Sequence, residues 1–349
     1  MRIAKGLVST ISSPYCLIPK TVFYCVLLRN YFLHSSELDH ILMETVLITG
    51  GTGLIGTELT RLLLERGYKV IILSRNPSRS RDNEQVTYAH WDVNKQAIDI
   101  NALQQADYIV HLAGANVAGK RWTAARKKEI LESAPAAAEL LYQSLKDHPH
   151  KVKKFISASA TGYYGESEED QPAFRENDPP ASDYLGTTCV AWENSVLKVE
   201  SLGIPIVLFR TGIALSTKGG ALKEFYKPLR FGFATIMGSG EQWVSWIHLH
   251  DLVRLYFNAI VNNQLQGAYN AVAPNPVKHR ELIMAMAKAA KGSSFITIHV
   301  PAAGLKLALG EMSVEILKSV RVSSNKIQDL GFVFSHPTIT AAMEQLYPK

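Results

Sequence analysis

Glycines at positions 50, 53 and 56, within Thr49-Gly50-Gly51-Thr52-Gly53-Leu54-Ile55-Gly56, have the type and spacing to hold a dinucleotide pyrophosphate. The first allows a tight turn and the second lets backbone approach the phosphates. The third lets the following helix pack closely on the preceding strand. The helix N-terminus around Thr52, Leu54 and Ile55 then offers free N–H groups and a partial positive charge. A ligand-free Gly-rich turn is the alternative reading; a strand before and a helix after favour the dinucleotide.

The next strand selects the dinucleotide. NAD-binding chains usually place an acid about 20 residues on, where it holds the ribose 2′-hydroxyl. Here the strand ends Leu73-Ser74-Arg75-Asn76-Pro77-Ser78-Arg79, with no acid near its tip. Arg75 and Arg79 can instead fork onto a 2′-phosphate, which favours NADP(H) over NAD(H). The alternative makes both arginines solvated loop charges. Asp92 can accept from the adenine amino group, or cap a turn. Arg121 and Trp122 lie in a loop past the fourth strand, where ligands of open α/β sheets sit. They can bind an anionic or planar substrate group, with a structural Trp as the equal alternative. An unperturbed imidazole titrates near neutrality, so His248 can act as an acid/base on substrate, with facing the core as the alternative. In His248-Leu249-His250-Asp251 the preferred reading is no metal, with Asp251 capping a helix from Leu252 to Ile260.

These residues need an alternating frame to position them. Thr45–Thr49, Lys69–Ser74, Val86–His90, Ala106–Ala113, Lys154–Ser159 and Ile206–Arg210 read as short strands, most of them continuous apolar runs suited to burial on both faces. Leu54–Arg66 and Ala124–Lys146 carry helical periodicity, with Pro135 expected to kink the second or start a new helix. The expected fold is α/β, a Rossmann-type doubly wound parallel sheet. Residues 43–215 would form the dinucleotide-binding domain. Residues 216–349, with Gly-rich loops at 218–220 and 238–240 and a helix over Leu282–Lys291, would form a smaller C-terminal α/β substrate lobe. The first 42 residues carry no acid before Glu37 and no apolar run long enough to span a bilayer. They read as an over-called start ahead of Met43, with a targeting segment or a docked arm as alternatives.

The bulk properties remove other classes. Hydrophobic residues make up 47% of the 349 residues and charged ones 19%, which excludes a disordered or collagen-like chain. A net charge of +6 without a broad basic stripe argues against a nucleic-acid partner. Three cysteines without zinc spacing suit a reducing cytoplasm.

The glycine pattern, the strand ending His111-Leu112-Ala113-Gly114, and Ser157-Ala158-Ser159-Ala160-Thr161-Gly162-Tyr163-Tyr164-Gly165 together resemble the extended short-chain dehydrogenase/reductases. Gly119-Lys120-Arg121-Trp122-Thr123, Asp183-Tyr184-Leu185-Gly186, Trp192-Glu193, Arg210-Thr211-Gly212, Trp246-Ile247-His248 and Tyr269–Pro276 resemble the atypical "epimerase family" subgroup, NAD-dependent epimerase/dehydratase-like proteins. The resemblance implies that Ala113 and Gly114 line the nicotinamide ribose. It also implies that Ser159 contacts the substrate carbonyl or hydroxyl oxygen, unless it is only a small residue ending a strand. Tyr163 or Tyr164 would lie near the nicotinamide, as proton donor or as a core or ribose-contacting residue.

One departure matters. Typical members carry Tyr-x-x-x-Lys, in which the lysine favours the phenolate. Here the two positions hold Leu185 and Cys189, or Tyr184 and Thr188 in the neighbouring register. The subgroup shares this lack. The expected function is an NADP(H)-dependent oxidoreductase or epimerase-like enzyme acting on a small molecule with a carbonyl or hydroxyl group. A homodimer through helices flanking the sheet is compatible with the fold. The rival is an NADP(H)-binding regulator or sensor without turnover.

Overall fold

Every residue of Thr45–Thr49 (β1) is buried. Val46 and Ile48 enter the core on one face of the sheet and Leu47 enters the other. That two-sided burial explains the continuous apolar run. The computed structural model describes residues 43–77 and 85–348, so the expectations for residues 1–42 and for Arg79 lie outside the described residues.

The remaining strands are Lys69–Ser74 (β2), Val86–Asp92 (β3), Ala97–Ile98 (β4), Tyr108–His111 (β5), Lys154–Ala160 (β6), Ile206–Thr211 (β7), Ile213–Leu215 (β8), Phe233–Met237 (β9), Trp243–Val244 (β10), Trp246–His248 (β11), Gly267–Ala271 (β12), Val277–Lys278 (β13) and Ile296–Val300 (β14). Eight of them form one sheet in the order β12-β7-β6-β5-β1-β2-β3-β4. Its pairings are parallel except that of β3 with β4.

Helices cover both faces. Leu54–Glu65 (α1) and the later Leu249–Val261 pack on the side of Val46 and Ile48. Ile100–Gln105 (α2), Ala124–Asp147 (α3) and Tyr184–Leu197 (α4) pack on the side of Leu47. Past Leu215 the chain serves both parts of the molecule. Gly267–Ala271 returns as the edge strand of the large sheet. Gly220–Leu229 (α5) and His279–Lys291 bury Leu222, Leu229, Leu282, Ile283 and Met286 with Trp246 in a separate apolar core.

Two local expectations are corrected. Helix α3 runs on through Pro135, which therefore starts no new helix. Its buried face, Ile130, Ala134, Ala137, Ala138, Leu141 and Leu145, outweighs the hydrogen bond that proline removes. The helix expected from Leu252 begins at Leu249 (α6, Leu249–Val261), and His248, not Asp251, is its N-cap. Asp251 sits fully buried in the first turn, where its carboxylate accepts from the backbone N–H of Ser335 and His336 and from Arg254. Among the described residues no helix is long and apolar enough to cross a membrane.

Three buried histidines give the fold an acid limit. Burial pushes His111, His248 and His279 each down to about 4. An unfolded histidine protonates near 6.5, so as pH falls the unfolded chain takes up protons that the fold refuses. The stability conferred by neutral imidazoles is therefore complete above about pH 6.5 and is lost progressively toward pH 4. Urea unfolding across this window should show a steep decline, and His279→Gln should make it shallower by about one proton. An unchanged slope in that variant would contradict the assignment.

Candidate functional site

The turn between β1 and α1 is built on close backbone contacts. Gly50 adopts φ +68°, and a Cβ there would lie 2.8 Å from the carbonyl carbon and oxygen of Leu112. A Cβ on Gly56 would lie 2.5 Å from the Gly50 oxygen and the Gly51 Cα. Gly53 is the N-cap of α1; no side chain caps it, and no acid occupies the first turn. Thr52 and Gly53 are exposed at the crest, and Leu54 and Ile55 are half-buried. The result is an uncapped helix N-terminus facing outward, a geometry suited to an anion. Beside it opens a cleft of about 610 Å³ bounded by Gly51, Thr52, Thr57, Ile72 and Tyr88 among others. Lys218 pairs with Glu58 of α1 and holds that carboxyl below its ordinary range. This brings Gly219 and Gly220 against the Leu54 side chain.

Arg75 is exposed just past the end of β2. Asp92 closes β3, and its Oδ1 accepts from the backbone N–H of Asn94 at 3.0 Å, the turn role.

Thr49 ties the glycine loop to the next strand end. Its Oγ1 accepts from the N–H groups of Leu112 and Ala113, each at 3.1 Å, and lies 2.8 Å from His111 Nδ1. Since the hydroxyl has one proton and already accepts twice, it donates to His111. Ala113 is half-buried and Gly114 exposed, so both are available at the carboxyl end of β5. Thr49→Val keeps the shape, strips the Ala113 N–H of its acceptor and His111 Nδ1 of its partner, and leaves the Leu112 N–H on the Thr49 carbonyl. It should cost about 1–3 kcal/mol in urea unfolding, the usual cost of buried unpaired groups. Wild-type stability would contradict the role.

A buried polar network occupies the end of β6. Ser159 Oγ donates to Glu193 Oε1 at 2.6 Å. Arg210, on β7, forks onto the same carboxylate through Nε at 2.9 Å and Nη2 at 2.8 Å. Arg210 Nη1 reaches the Tyr164 hydroxyl and the Glu176 carbonyl, each at 3.0 Å. Tyr164 in turn donates to Asn270 Oδ1 at 2.6 Å. The guanidinium carbon of Arg210 sits over the Tyr163 ring, 3.4 Å from the ring centroid. Burial pushes the Tyr164 phenol up to about 12, so it stays protonated at neutral pH.

The candidate residues thus fall into groups. Ser159, Tyr163 and Tyr164 meet around Glu193 and Arg210, while the glycine loop meets Leu112 and Ala113. On α4, Leu185 lies against Gly162 and Cys189 Sγ faces the Ala160 carbonyl at 3.7 Å. Burial pushes that thiol up to about 12, so it is no thiolate. Trp122 is buried, with Nε1 on the Val117 carbonyl at 2.8 Å and its ring edge-on to Tyr184. Arg121 is exposed against Gly310. His248 is buried apart from the Ser159 network, its ring centroid 4.0 Å from that of His336, and its Nδ1 accepts from His250 N–H. Sequence reasoning gave Glu193 and Arg210 no role. The available signal was a pair of opposite charges at positions of α4 and β7 that otherwise face the core.

The chain is similar to known proteins in sequence and in fold. The model of the NAD dependent epimerase/dehydratase family matches residues 46–271, and a domain of unknown function, DUF1731, matches residues 300–346. An epimerase family protein of Staphylococcus aureus is 33% identical over 307 residues, covering 88% of this chain and 100% of that protein. The structure is similar to the human epimerase family protein SDR39U1, solved with NADPH. The TM-score is 0.76 at 27% identity, over 87% of this chain and 99% of that one. A nucleoside-diphosphate sugar epimerase from Corynebacterium glutamicum matches with TM-score 0.68 and 30% identity, over 87% of this chain and 58% of that one. The resemblance read from the motifs holds, and the chain belongs to the NAD dependent epimerase/dehydratase family.

Proposed function

We propose that the chain binds NADP(H) and acts as an oxidoreductase or epimerase-like enzyme on a small molecule bearing a carbonyl or hydroxyl group. The observation that carries this reading is the uncapped, outward-facing start of α1, with Gly50 and Gly56 admitting no side chain. The human relative solved with NADPH supports it. Thr52, Gly53, Leu54 and Ile55 would hold the pyrophosphate, Arg75 the 2′-phosphate, and Ala113 and Gly114 the nicotinamide ribose. A bound nicotinamide supplies hydride transfer. Ser159 provides the hydrogen-bonding contact to the reacting oxygen, and Tyr163 is the candidate proton donor. Tyr164, engaged by Asn270 and Arg210, fixes the network instead. Arg121 is the candidate anion contact.

Leu185 and Cys189 on the face of α4 toward β6 favour a second reading, a protein that binds NADP(H) and reports its redox state without turnover. Incubation of NADPH labelled stereospecifically at the transferred hydrogen with a carbonyl panel, and of NADP+ with an alcohol panel, separates the two. Hydride transfer in either direction supports the enzyme. Tight binding with no transfer in either direction supports the sensor.

A further inference from the structure

Ser159 has a single proton, and the structure commits it. We infer that Ser159 meets its ligand as a hydrogen-bond acceptor, so the site selects a hydroxyl, not a carbonyl, at that position, with Glu193 as the positioning residue. This rests on the cofactor and substrate reading above.

The chemistry follows from the partners. An ionised carboxylate accepts hydrogen bonds and cannot donate them, so at 2.6 Å the proton between Ser159 Oγ and Glu193 Oε1 belongs to the serine. Glu193 cannot turn away: Arg210 grips both its oxygens, and both side chains are almost completely buried. Arg210 is itself pinned by Tyr164, the Glu176 carbonyl and the Tyr163 ring. What Ser159 has left for a ligand is lone pairs. His111 of β5 pairs in register with Ser157, which sets Ser159 beside the strand end that carries Ala113. A carbonyl oxygen brought there would meet another acceptor, whereas a hydroxyl would complete the bond. Sites built for a hydroxyl reject the analogue lacking one far more strongly than apolar pockets reject a change in size.

Leucine in place of Glu193 should release that proton. It offers Ser159 no acceptor, so the serine proton is free to turn toward the ligand.

Joint neutron and X-ray diffraction of the perdeuterated full chain, crystallised with NADP+, reads this directly. The expected result is a deuteron on Ser159 Oγ lying on the line to Glu193 Oε1, with Glu193 carrying none. In E193L the Ser159 deuteron should turn off that line. A wild-type deuteron on Glu193, or a Ser159 deuteron pointing elsewhere, would overturn the inference with the cofactor reading intact. An unaltered Ser159 deuteron in a folded E193L would overturn the role of Glu193. Absence of cofactor from the glycine loop would sink the cofactor reading instead, while the deuteron still reports on Ser159.

Discussion

Alanine at Gly56 is expected to remove most NADP(H) affinity, by at least about 100-fold, at 1.4 kcal/mol per tenfold. The added Cβ would stand 2.5 Å from the Gly50 oxygen and the Gly51 Cα, and neither backbone atom can yield without moving the loop. Helix α1 must then retreat, or the Gly50 turn must open. Either displaces the N–H groups at the crest from the position that a pyrophosphate would occupy. Overpacking of this kind should also cost about 1–3 kcal/mol of stability. Calorimetric titration and urea unfolding check the two effects separately. Wild-type affinity in a folded Gly56→Ala protein would mean that the cofactor does not use this turn.

Arg210→Ala should give the largest loss of stability. Removing one partner of a buried ion pair typically costs about 3–5 kcal/mol, because the other charge stays buried. Glu193 would keep Ser159 alone as a donor, and Tyr164 would lose its guanidinium contact. The expected fall in Tm is roughly 4–7 °C for a chain of this size. Arg210→Lys should recover only part of it, since an ammonium cannot fork onto both carboxylate oxygens. Scanning calorimetry reads both variants, and a fall of only a degree or two for alanine would contradict the network.

The sheet and the glycine turn were legible because each leaves a local mark. Strands buried on both faces carry continuous apolar runs, as Val46–Ile48 of β1, Val70–Leu73 of β2 and the first four residues of β7 do. A turn that admits no Cβ at Gly50 and Gly56 must be glycine. The misreadings arose where local chemistry had two outlets. A carboxylate near a helix start is usually a cap, yet Asp251 turns its oxygens to a chain segment more than eighty residues away. Trp122 was open to either a ligand or a structural role, and its indole N–H lies on the Val117 carbonyl. The Ser159–Glu193–Arg210–Tyr164 network was invisible because its members come from three separated segments. Only the packing of α4 on β6 and β7 brings them together, and neither periodicity nor a short motif encodes that meeting.

The central claim is that the uncapped start of α1 together with Arg75 makes a site for NADP(H). Titrating NADPH and NADH by calorimetry into the full chain and its Arg75→Ala variant tests it most directly. The expected result is tight NADPH binding, much weaker NADH binding, and a preference reduced about tenfold or more when Arg75 is removed, the scale of one charge-assisted contact. Binding of neither dinucleotide to the wild-type chain would contradict the account.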